Sequence, residues 1–205
     1  MLVFACFSPH PPLILPEVGS PTDRDKVKKT IQALESLAPK LQAAKPDLII
    51  ISSPHPDWGF NVPLHFLIKK PGQYKIKSYL TDSESWTVHF QRGAEMLKNL
   101  PARTRVAWIA SGDMSHCLKE DGPYGFNPAG PKFDKEFIRL LKVKDIGSIL
   151  NLPEDLVTQA GECGLRSFCM LLGALKTSKI DYQPEILSYE GPFGVGYLVV
   201  NFKLK

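Results

Sequence analysis

Leu48-Ile49-Ile50-Ile51-Ser52-Ser53-Pro54-His55-Pro56 is an apolar run that ends on a histidine held between two prolines. Its first four residues have the length and composition of a strand buried on both faces. The pattern occurs again at the amino terminus, where Phe4-Ala5-Cys6-Phe7 leads through Ser8-Pro9 to His10 and Pro11. A third run, Val106-Ala107-Trp108-Ile109-Ala110, leads through Ser111-Gly112-Asp113-Met114-Ser115 to His116. Each run delivers an imidazole just past its end. In open α/β sheets the crevice beyond the carboxyl ends of the strands is where ligands bind. Three of the five histidines are therefore expected to converge on one place.

Working outward, strand and helix signals alternate. Pro11, Pro12 and Pro16 keep the chain extended until Thr22, a candidate helix cap with Asp23 and Asp25 in the first turn. Val27, Ile31, Leu34, Leu37 and Leu41 then recur at helical spacing, with Pro39 expected to kink or divide that helix. Residues 64–68 and 74–80 read as two further strands joined by a turn at Pro71-Gly72, and 86–100 as a helix. The glycine- and proline-rich stretch from Asp121 to Pro131 is too long for a simple turn, and long structured loops are often functional. Helices follow over 133–141 and from Pro153 onward, the latter broken at Gly161 and Gly164 and resumed by Leu165, Phe168, Leu172 and Leu175. Two closing strands, 186–189 and 196–202, flank Gly191-Pro192-Phe193-Gly194. The expected architecture is one α/β domain over residues 1–205. Its central sheet is mostly parallel or mixed, flanked by helices, with the active site at the carboxyl ends of the strands.

Composition narrows the function. Hydrophobic residues make up 43% and charged residues 22%, values of an ordinary globular chain. The net charge of +4 comes from scattered lysines, so neither nucleic acid nor a membrane surface is an expected partner. The amino terminus lacks a basic lead, and no segment approaches the roughly 20 apolar residues of a transmembrane helix. A cytoplasmic location is expected. The four cysteines contain no CxxC pair, which argues against a disulfide framework or a thiolate zinc site.

Two imidazoles on rigid loops are suited to a metal. Flanking prolines fix the backbone at His10 and His55 and preorganise them as ligands. His65 and His89 read instead as ordinary surface or hydrogen-bonded residues. Two His and one carboxylate suit non-heme Fe(II), and the same set with a water serves Zn(II) hydrolysis. Glu162, at the break before an apolar helix, is the candidate acid, since a helix amino terminus keeps a carboxylate ionised. Cys163 beside it is the competing ligand, with a thiol pKa expected to be lowered by the helix start.

Taken together, Ser-Pro-His-Pro-Pro12, the second Ser-Pro-His55, Ser-Gly-Asp-Met-Ser-His116 and Gly-Glu-Cys-Gly-Leu-Arg166 resemble the class III extradiol ring-cleaving dioxygenases. The branch resembled is the short one found alongside AMMECR1-type and radical SAM proteins and related to the Memo proteins. Tyr124 to Pro131 and Tyr189 to Gly196 resemble that branch too. The resemblance implies Fe(II), with Zn(II) or another divalent metal as the alternative, held by His10 and His55. It makes His116 the acid/base group, and a catechol-type aromatic and O₂ the substrates. In the Memo relatives a cysteine motif resembling Cys163-Gly164 occupies the region of Glu162, which implies a metal-binding, non-oxygenase component of a modification system as the rival function. A homodimer and AMMECR1-type and radical SAM partners are expectations of the same kind. Asp113 is the expected orienting group for an imidazole, and Tyr124, Phe126 and Phe193 the expected aromatic wall.

Overall fold

A computed structural model describes residues 1–70 and 72–205. The chain begins with strand β1 (Leu2–Ser8), and a short 3-10 turn (Pro12–Ile14) leads to helices α1 (Pro21–Lys26) and α2 (Lys28–Ala44). Strand β2 (Leu48–Ser53), helix α3 (Trp58–Leu67), strand β3 (Lys75–Leu80), helix α4 (Trp86–Lys98) and strand β4 (Val106–Ser111) follow. Four helices then run in succession: α5 (Ala129–Lys142), α6 (Ile146–Leu150), α7 (Glu154–Ala160) and α8 (Leu165–Ser178). Strands β5 (Tyr182–Glu190) and β6 (Tyr197–Leu204) close the chain.

The strands form one six-stranded mixed sheet in the order β3-β2-β4-β1-β6-β5. β3, β2, β4 and β1 are mutually parallel, whereas β6 runs antiparallel to β1 and to β5. Ser8 pairs with Ser111 and Ser52 with Ala110, so β1, β2 and β4 end in line on one edge. The three histidine-bearing loops leave from that edge. The expected α/β architecture with its mixed sheet is what the structure has.

Both faces of the sheet are covered, which is why the central strands read as unbroken apolar runs. Phe7, Ile50, Trp108 and Val200 point into a core shared with α5 and α8. Their neighbours Cys6, Ile51, Ile109 and Val199 point into a second core against α2 and α3. Cys6 and Cys169 are buried free thiols, and Cys117 and Cys163 are also unpaired.

Four local expectations need correction. Of residues 64–68, expected as a strand, 64–67 belong to α3 with Ile68 its extended C-cap, and the helix packs Val62, Phe66 and Leu67 on the second core. No hairpin therefore joins that segment to β3, and Pro71 lies outside the described residues. The first helix is capped by Ser20, whose hydroxyl accepts the Asp23 N–H, not by Thr22. Pro39 does not divide α2, one of the two outcomes expected of it, and the break between α1 and α2 falls at Val27.

Candidate metal centre

His10 leaves β1 into a buried position. Its backbone N–H donates to Asp113 Oδ1 at 3.0 Å, and its Nδ1 lies 3.0 Å from Ser111 Oγ. The hydrogen bond at Nδ1 leaves Nε2 facing the site, the arrangement that orients a metal-binding imidazole. His55 leaves β2 in an exposed loop whose backbone N–H donates to Ser53 Oγ at 3.2 Å. The two rings stand 5.3 Å apart at 80°. Gly59 lets α3 start against this loop, since a Cβ there would lie 2.0 Å from Ser53 Oγ.

Cys163 completes the group. Its Sγ is 3.7 Å from His10 Nε2 and accepts the Asp113 N–H at 3.2 Å. Single ligand atoms of His10, His55 and Cys163 all lie within 4.8 Å of one another. Asp113, His116 and Cys163 form a second such group that shares the sulfur. The approach depends on two glycines: a Cβ on Gly112 would sit 2.2 Å from the Cα of Gly164. The Gly164 N–H donates to the Asp113 carbonyl at 2.9 Å, tying the turn before α8 to the loop after β4.

Glu162 stands differently. Its carboxylate accepts the Leu165 N–H at 2.5 Å, so it caps α8, and it is absent from both groups of gathered ligand atoms. Burial raises its pKa to about 7. Cys163 also departs from expectation, because burial and then the Asp113 charge push its thiol well above the usual range. A bound cation reverses that logic, since a coordinating thiol is deprotonated.

His10 and His116 are held neutral at physiological pH. Burial, and then His55, lower the His10 pKa to about 3. Burial also lowers that of His116, against the opposing charge of Asp113. Burial holds the Asp113 carboxyl at about 6. The backbone N–H of His116 donates to the Ala160 carbonyl at 3.2 Å, and its Nε2 is buried without a partner among the described residues. The ring of Tyr124 lies 4.9 Å from that imidazole, tilted by 42°.

Of the three expected wall residues, Tyr124 alone is placed against a site histidine. Phe126 is 46% exposed and bridges to Leu118, while Phe193 packs on the second core beneath Lys26 Nζ. Gly122 and Gly194 bring these two loops side by side, where a Cβ on Gly194 would be 2.9 Å from the Cα of Gly122. A largely apolar cavity of about 730 Å³ lies elsewhere, between α5, α6 and α7, and contains none of the histidines.

The description of the catalytic LigB subunit of aromatic ring-opening dioxygenase fits this chain over residues 4–56 and 55–200, as a family model. The chain belongs to the LigB family. Protein CA_C1420 of Clostridium acetobutylicum is similar at 32% identity over 265 aligned residues, covering 95% of this chain and 56% of that one. The chain thus spans about half the length of the curated relative that it matches. The crystal structure of an uncharacterized protein, JW3007 from Escherichia coli K12, has a TM-score of 0.68 at 16% identity. It covers 97% of this chain and 99% of its own, and shows a shared fold.

Sequence reading passed over several residues of this LigB-family site. Ser111 lies in the stretch from Ser111 to His116, but nothing in one sequence marks which hydroxyl meets an imidazole. Asp134 had a signal: it lies on the buried stripe of α5 with Phe137 and Leu141. A carboxylate among such residues demands a purpose.

Proposed function

We propose that this LigB-family chain is a metal-dependent extradiol dioxygenase that opens a catechol-type aromatic ring with O₂. The observation that carries the reading is the gathering of His10, held neutral by burial, with His55 and Cys163 at the carboxyl ends of parallel strands. The donor set fits a divalent transition ion. Nitrogen and sulfur ligands of one tetrahedral ion stand about 3.6 Å apart, close to the 3.7 Å between His10 Nε2 and Cys163 Sγ. Fe(II) is the leading metal, and a thiolate in the set also accommodates Zn(II) or another soft ion. Glu162 supports the turn from its capping position. When bound, the metal supplies redox chemistry and open positions for the aromatic hydroxyls and O₂.

The protein's own groups do the remainder. His116, neutral and with Nε2 unpartnered, takes a proton from the substrate hydroxyl and later returns one. Asp113 holds His10 in place through its backbone N–H. Tyr124 supplies an aromatic face beside His116 on which a flat ring can lie.

A second reading is favoured by the cysteine: a Memo-like, non-oxygenase component that keeps the metal pocket within a modification system. AMMECR1-type and radical SAM proteins are its proposed partners, a homodimer its proposed assembly and the cytoplasm its proposed location. No helix among the described residues is long and apolar enough to cross a membrane.

Anaerobic titration with Fe(II), followed by oxygen-electrode assays on a panel of catechols, tests the first reading. We expect one ion per chain, lost in His10→Ala and His55→Ala, and oxygen uptake that His116→Ala abolishes without losing the ion. Metal binding with no oxygen uptake on any catechol favours the second reading.

A further inference from the structure

Asp134 is 1% exposed, on α5, and no Lys or Arg among the described residues is paired with it. Burial raises its pKa to about 6. A carboxylate so placed costs free energy unless its hydrogen bonds do something in return. It makes two: Oδ1 accepts the backbone N–H of Ser115 at 2.8 Å, and Oδ2 accepts the hydroxyl of Tyr189 on β5. Room for it is reserved by a glycine, since a Cβ on Gly196 would lie 2.5 Å from Asp134 Oδ2.

The residue it holds immediately precedes His116. Around Ser115 the chain is gripped on every side. Met114 N–H donates to Gly196 O at 2.8 Å, Gly196 N–H returns to Ser115 O at 2.8 Å, and Ser115 Oγ donates to Ala160 O at 2.7 Å. Asp134 reaches this turn from α5, and the Tyr189 hydroxyl fixes the orientation of its carboxyl. We propose that Asp134 and Tyr189 form a positioning pair that fixes the Ser115-His116 turn and so sets where the His116 imidazole stands beside Cys163. The pair serves the acid/base role assigned to His116 and rests on that reading for its purpose, though not for its test.

The test uses the metal-free full chain labelled with ¹³C-histidine, the His116 resonance being assigned with His116→Asn. Tyr189→Phe removes one hydroxyl at a partly exposed position and should leave the fold intact. Asp134→Asn is the second variant. Both should shift the His116 ring resonance and its titration midpoint while leaving the His10 signal in place and Fe(II) affinity within about twofold. Where a catechol is turned over, kcat should fall with KM little changed, the split expected of a misplaced proton carrier. An unmoved His116 signal in Tyr189→Phe, with only a lowered melting temperature, overturns the pair as a positioning device. A moved signal in a protein that consumes no oxygen upholds the pair and sinks the dioxygenase reading alone.

Discussion

Cys163 and Glu162 are neighbours, yet they face different tasks. The sulfur lies among the ligand atoms, while the carboxylate is engaged on the Leu165 N–H. Cys163→Ser is therefore expected to weaken metal binding by at least about tenfold, whereas Glu162→Gln should keep the ion and lose helix stability; competition titration and thermal melting check the two. Ser111→Ala removes the hydroxyl at His10 Nδ1 and should cost about 10–100-fold in metal affinity, the usual effect of losing such an orienting bond. Asp134 gives a prediction in pH. Its carboxyl titrates near 3.8 when unfolded and at about 6 when folded, so the folded chain holds this proton more tightly. Folded stability relative to Asp134→Asn is thus highest below 3.8 and falls as pH rises through 6. The fall should reach about 3 kcal/mol, read from urea melts of both proteins across that range. A gap that stays constant with pH would show that burial does not raise this carboxyl.

Elements explain what could be foreseen. β1, β2 and β4 were legible because burial on both faces leaves no polar alternation to confuse their reading. Residues 64–68 were misread because five residues with an apolar majority fit strand and helix templates equally. The helix they belong to starts earlier, at Trp58, and carries a proline at its centre. Choosing between adjacent ligands lay beyond a linear reading, since one residue of register in a turn decides which side chain faces inward. That register is set by Gly161 in the left-handed region, at φ 61°, and by the contact of Gly164 with Gly112. Gly112→Ala forces a Cβ into backbone, which should destabilise the chain by about 1–3 kcal/mol or more. It should also draw Cys163 away from His10, so metal affinity is expected to fall beyond the loss of stability. An alanine variant that binds the ion normally would contradict this.

For the whole molecule, the sheet order decides the chemistry. β4 lies between β2 and β1, so the loops carrying His55, His116 and His10 come from three adjacent strands although long stretches of chain separate them. The convergence was legible, because parallel strands share one carboxyl edge. The Asp134–Tyr189 contact, joining α5 to β5 beneath the His116 turn, was not, because no local pattern encodes which helix crosses which strand. A metal bound only by the folded chain must stabilise it. With free Fe(II) at roughly 100-fold over Kd the gain is about 2.7 kcal/mol, and His10→Ala should show none.

Metal-edge X-ray absorption of the anaerobic Fe(II) complex addresses the ligand set most directly. We predict one sulfur scatterer at about 2.3 Å together with two imidazoles, the sulfur vanishing in Cys163→Ser. A shell of nitrogen and oxygen alone in the unaltered protein, or a sulfur that persists in that variant, would contradict the assignment of His10, His55 and Cys163 as the metal centre.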